Sequence, residues 1–158
     1  MLAVETPKDF DEWRKTVRSL LAQNITPSKV AWVNRGQQSF FSPIALGETK
    51  DRVRVSKEFL DLARLAACHT DSSRWALLHQ IVWRLSHGEA RLLSLASDPA
   101  VRALQLLTRA VSRDIHKMHA FVRFKKITDN QGERFVAWHR PDFHILRLAS
   151  PFFVRRFG

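Results

Sequence analysis

Ser97-Asp98-Pro99 constrains the fold more than any other stretch of this chain. A capping residue directly before a first-turn proline is a strong helix start. From it, Ala100, Leu104, Leu107, Val111, Ile115 and Met118 recur at spacings of four and three. The pattern predicts one amphipathic helix reaching about Met118, and such a helix needs an apolar layer to lie on. Its other face carries Arg102, Arg109, Arg113, His116 and Lys117. Arg102, Arg109, Arg113 and His116 line up along roughly 20 Å of one face, at ~1.5 Å per residue.

The excess charge is placed as unevenly. Residues 101–158 hold 12 Lys/Arg against 4 Asp/Glu, so eight of the chain's eleven net positive charges sit there. A concentrated basic surface repels itself, and its usual purpose is a polyanionic partner. A generic solubilising surface is the plainer alternative.

The rest of the chain reads as a mixed fold. Asp9, with Glu12 three residues on, opens a helix over about 9–23. Val30–Val33 reads as a short buried strand. A helix from Ser56 to about 68 buries Phe59, Leu62, Ala63 and Ala66. The next runs from Ser72 to His87, closed by Gly88, and is the central core helix. A short helical piece spans Glu89–Ala96. AFVRFKKI and RFVAWH, separated by TDNQGE, form a hairpin near 120–139. Helices follow at Phe143–Ala149 and, restarted by Ser150-Pro151, over PFFVRRF. The expectation is a single α+β domain over 1–158, a mostly helical layer on a small antiparallel sheet. A long loop occupies about 34–54, with a short strand at Phe40–Phe41.

Composition excludes several classes. Five Gly and six Pro in 158 residues, with 45% apolar content, argue against disorder. The one cysteine, Cys68, permits no internal disulfide and no cysteine-based zinc site. It reads as a small core residue, the sharper alternative being a reactive thiol. Glu5, Asp9, Asp11 and Glu12 come too early for a signal peptide, so none is expected, and no stretch approaches the ~18 apolar residues of a membrane span. The expected location is the cytoplasm, with no membrane partner. There is no Walker-type or G-x-G-x-x-G loop, no G-x-S-x-G elbow and no zinc-deaminase pattern. No cofactor and no metal are expected.

Two constellations remain. The basic face continues through Arg123, Lys125 and Lys126 on the hairpin to Arg155 and Arg156 near the end. Phe121, Phe124, Phe135 and Trp138 interleave with these charges, as do Phe143, Phe152, Phe153 and Phe157. Cations attract phosphate, and exposed aromatic faces stack on unpaired bases. Each aromatic taken singly reads first as core. The second constellation is His116, His119, His139 and His144, with Asp142 beside the last two. Imidazoles suit acid–base work near neutral pH, so these four are the catalytic candidates. H-x-x-H with H-x4-H is not a specific metal pattern, and capping, packing or phosphate contact explains such residues equally. Asp114 reads as an internal partner of Arg113 or Lys117.

RDIHKMHAFVRF, the stretch RLAACHTDSSRWALLHQIVWRLSHGEARLLSLASDP and VAWHRPDFHILRLASPFFVRRF together resemble a bacterial family described as DNA-metabolism proteins of unknown function. The opening DFDEWRKTVRSLLAQNITPSKVAW is similar to that family's start. The same domain occurs fused to uracil-DNA-glycosylase-like proteins and encoded beside a radical-SAM protein of DNA repair or modification. The resemblance implies a DNA-repair context and a protein partner. It directs attention to Arg113, Asp114, His116, Lys117, His119, Phe121 and Arg123, and to Pro151, Phe152, Phe153, Arg155 and Phe157 in a second motif. Family members continue past the second motif into another basic stretch, whereas this sequence stops at Gly158, as a natural short form or a truncated one.

The leading expectation is a DNA-binding accessory domain presenting substrate to a glycosylase-like or radical-SAM partner, with DNA favoured over RNA. Its phosphate contacts are Arg102, Arg109, Arg113, Lys117, Arg123, Lys125 and Lys126, extended by Arg155 and Arg156. The alternatives are a histidine-based enzyme, metal-dependent or metal-free, acting on damaged or modified DNA, and a protein-interaction module with an acidic partner.

Overall fold

The computed structural model describes residues 1–34 and 54–157. The loop and strand expected within 35–53 lie outside them. The described chain is α+β and mostly helical. The helices are α1 (Phe10–Ala22), α2 (Lys57–Ala67), α3 (Arg74–Ser86), α4 (Pro99–Phe121) and α5 (Leu146–Phe157). Strands β1 (Leu2–Glu5) and β2 (Val30–Val33) form a parallel pair, and β3 (Lys125–Asp129) and β4 (Gly132–Val136) an antiparallel hairpin. The parallel pair adds to what the sequence predicts: Leu2 faces Val30 and Glu5 faces Val33, with α1 as the crossover.

The caps explain the boundaries. Asp9 accepts the backbone N–H of Glu12 at 2.9 Å, and Glu12 accepts that of Lys8 at 2.6 Å. Both orphan donors lie at the start of α1, a shifted form of the reciprocal capping arrangement. α1 ends on Asn24 in the left-handed region (φ 54°), with the N–H of Ile25 donating to Leu20 O at 2.9 Å. Gly88, at φ 105°, closes α3 in the same way, and Glu89 N–H donates to Arg84 O at 3.1 Å. Asp98 caps α4 by accepting from Ala100 and Val101. The Arg84 guanidinium bridges Asp98 (2.8 Å) and Glu89 (2.6 Å), locking the end of α3 to the start of α4. These hydrogen bonds hold both carboxyls below their usual range. The helical piece expected over Glu89–Ala96 contracts to a 3-10 turn, Leu92–Ser94, that buries Leu92.

α4 is the spine. It packs against α2, α3 and α5. Its first half puts Ala100, Val101 and Leu104 into a core with Trp13, Phe59 and Trp75. Its second half puts Val111 and Met118 against Ile145, Ala149 and Phe153. The helix runs to Phe121, one turn beyond the expected end.

The two C-terminal helices expected from the Ser150-Pro151 restart are one. Pro151 sits inside α5 and costs it the hydrogen bond to Arg147 O. Ala149 and Phe153, four apart, are both buried against α4, and this shared burial carries the helix through the proline. Among the described residues, no helix is long and apolar enough to cross a membrane.

Candidate nucleic-acid interface

Burying the apolar stripe of α4 leaves Arg102, Arg109, Arg113, His116 and Lys117 exposed on the opposite side. At ~100° per residue they span an arc of about 100°, and Arg102 and Lys117 are about 22 Å apart along the axis. Among the described residues, none of Arg102, Arg109, Arg113 and Lys117 has an acidic partner. Other cations are already engaged. Arg84 is bridged as above, and Arg134 pairs with Asp129. Arg74 is buried, donates to Ala67 O and Asp71 O, and lies 4.2 Å over the Trp75 ring. The α4 row therefore stands as a line of unneutralised charge about 22 Å long.

Asp114 does not balance that row. It is 4% exposed and accepts the backbone N–H of Phe143 at 2.9 Å. The expected pairing with Arg113 or Lys117 is therefore replaced by a tie to the segment before α5. The reason is position: Asp114 lies on the buried side of α4, while both cations point to solvent.

The hairpin is exposed along both strands. Lys126 is paired with Glu133 at 2.6 Å, so it is already partly neutralised, while Lys125 has no acidic partner among the described residues. Arg123 donates to Ala120 O at 3.1 Å, folding its guanidinium back over the end of α4. Arg155 and Arg156 are exposed in the last turn of α5. Arg140 and Arg147, not singled out by the sequence patterns, are also exposed cations in this third of the chain.

The aromatics divide. Phe153 is buried, and Phe124, Phe143 and Phe152 are half-buried. Phe121 (71% exposed) and Trp138 (88% exposed) present their rings to solvent. Phe135 contacts Phe157 at 5.0 Å and Phe157 contacts Phe124 at 4.9 Å, so an aromatic chain joins the hairpin to α5.

The four histidines do not share one cavity. His119 stacks on Phe152 at 4.2 Å and donates from Nε2 to Ala149 O at 3.2 Å. His144 lines a different cavity, with Asp9, Cys68 and Arg147. His116 is exposed, and the Nε2 of His139 is buried without a hydrogen-bond partner among the described residues. Among the described residues, no cluster of three or more His, Cys, Asp or Glu is placed to hold a metal. Cys68 is half-buried, and burial raises its thiol above the usual value, against the pull of Arg74. That shift disfavours the reactive thiolate.

The fold and this surface define a mostly helical α+β protein with a free basic face on its longest helix. A family model described as a domain of unknown function (DUF4130) matches residues 72–158, more than half of the chain, and the chain belongs to that family. The match covers α3 to α5, and so the whole candidate interface. No curated protein matches the chain, and no solved structure does.

Proposed function

We propose that this chain is a DNA-binding accessory domain working in DNA repair or modification, beside a uracil-DNA-glycosylase-like or radical-SAM partner. The observation that carries the binding reading is the α4 row: Arg102, Arg109, Arg113 and Lys117 exposed on one face, with no acidic partner among the described residues. Such a row is self-repulsive unless it meets a polyanion, and phosphate oxygens accept from guanidinium forks. The repair context and the partner rest on the family resemblance of RDIHKMHAFVRF and PFFVRRF.

The test is fluorescence anisotropy with labelled single- and double-stranded DNA, with and without uracil, at low and high salt. Saturable, salt-sensitive binding that the Arg109→Glu/Arg113→Glu double variant abolishes supports the reading. Binding absent at low salt, or indifferent to the double variant, defeats it.

One observation favours a second reading. Leu106, 67% exposed, sits on the same face as Arg109 and Arg113. Together with Leu62 and Leu65 they line a cleft of about 520 Å³. An apolar floor rimmed by arginines suits an acidic amphipathic protein segment. Co-purification of such a partner, with no saturable DNA binding, is its signature.

A further inference from the structure

A cavity of about 410 Å³ opens where α4 ends and α5 closes over it. Its walls are rings: Phe124, Phe152, Phe153 and Phe157, with His119 stacked on Phe152. Two exposed guanidiniums, Arg123 and Arg156, complete the lining. Its volume falls in the ~300–1,000 Å³ range of small-ligand sites. Among the described residues, no acidic side chain lines it.

The lining selects its ligand class. Aromatic walls suit a planar π-system, and every nucleobase presents a π-face. Guanidinium forks beside them suit a phosphate. Placement adds a third argument. Ala120 lines the cavity and lies on the same side of α4 as Arg109 and Arg113, since eleven residues close three turns at ~3.6 residues per turn. The basic row therefore leads to the cavity mouth, where Arg123 folds back onto Ala120 O.

We infer that this aromatic cavity receives one unpaired nucleotide of a DNA strand whose neighbouring phosphates lie along α4. The base stacks among the phenylalanines, and its phosphate is held by Arg123 and Arg156. A paired base is stacked inside the duplex and reaches such a cavity only after unstacking, at a cost of a few kcal/mol for a matched pair. The cavity therefore favours single-stranded or mismatched DNA over intact duplex. This rests on the DNA-binding reading above and adds the strand state and the position of the recognised base.

The test uses the full chain and a twelve-nucleotide single strand with 5-iododeoxyuridine at its centre, irradiated to join the base to whichever ring it stacks on. Cross-linking is expected at Phe124 or within the peptide 152–157. The Phe157→Ala and Arg156→Gln variants alter exposed positions at the end of α5. Each is expected to weaken single-strand binding about tenfold, as loss of one stacked base or one phosphate contact predicts, and Phe157→Ala is expected to leave intact-duplex binding unchanged. Circular dichroism confirms that both variants fold. Cross-links at Trp138 instead, or single-strand affinity unchanged in both variants, overturn the inference while duplex binding still reports on α4. Loss of all DNA binding by the unaltered protein overturns both readings. Binding of free 2′-deoxyuridine 5′-monophosphate without binding of the strand reassigns the cavity to a mononucleotide and also overturns it.

Discussion

The carboxylate of Asp114 accepts the backbone N–H of Phe143 at 2.9 Å, across 29 residues of chain. The bond fixes the turn after the hairpin to the middle of α4, and so sets where α5 begins. Asp114→Ala leaves that N–H without its acceptor, and a lost hydrogen bond to a charged group costs about 1.5–3 kcal/mol. Asp114→Asn keeps an oxygen acceptor and costs less. Urea midpoints of the two variants check the order. Equal midpoints for Asp114→Ala and the unaltered chain remove Asp114 from any structural role.

His79 predicts an acid-side loss of stability. It is fully buried on α3, edge-on to Trp32 at 6.1 Å, and neither ring nitrogen has a hydrogen-bond partner among the described residues. Burial lowers its pKa from 6.5 to about 4. The folded state therefore resists protonation that the unfolded state accepts. The stabilisation is complete above about pH 6.5 and is lost as pH falls towards 4, to a total of about 3 kcal/mol. His79→Leu removes the titration. Its urea midpoint is expected to vary less between neutral pH and pH 5 than that of the unaltered chain, and to be no lower at neutral pH. Parallel pH profiles for both proteins contradict this.

The stretches legible in the sequence are those whose cause is local. Asp98 before Pro99 announces α4 because the cap needs only the next three residues, and Ser56 and Gly88 act as locally. β1 was not legible, since Leu2–Glu5 becomes a strand only by pairing with Val30–Val33. Pro151 signals a helix start in isolation, and burial of Ala149 and Phe153 against α4 overrules it. The site divides along the same line. The basic row could be read from spacing alone on one helix. The aromatic cavity could not, because His119 meets Phe152 only through the packing of α4 on α5. A β-rich run in which aromatic and basic residues interleave, such as AFVRFKKI, likewise cannot show which rings the tertiary fold buries.

Trp138 lies two residues past β4, 88% exposed, between the hairpin and Arg140. A ring that exposed contributes little to the core, so Trp138→Ala is expected to shift stability by no more than about 0.5 kcal/mol. If the ring adds a stacking platform, the same change costs single-strand affinity about 1–3 kcal/mol, roughly tenfold or more. Comparing the urea midpoint with the anisotropy titration separates the two quantities. Unchanged affinity removes Trp138 from the interface.

The α4 row makes a prediction about slope as well as strength. Each phosphate neutralised releases counterions, so log affinity falls with log salt by about 0.9 per contact on duplex DNA. Four contacts by Arg102, Arg109, Arg113 and Lys117 give a slope near about −3.6, which weakens binding roughly 150-fold between about 50 and about 200 mM salt. Arg109→Gln/Arg113→Gln removes two contacts without reversing charge, and is expected to reduce the slope by about 2 for every duplex sequence tested. Lys126→Gln is the contrasting variant. Its ammonium is already paired with Glu133 at 2.6 Å, so its removal is expected to change the slope by much less than one contact's worth. Equal effects of the two changes would mean that the strand crosses the hairpin rather than following α4, which would move the interface while leaving the polyanion reading in place.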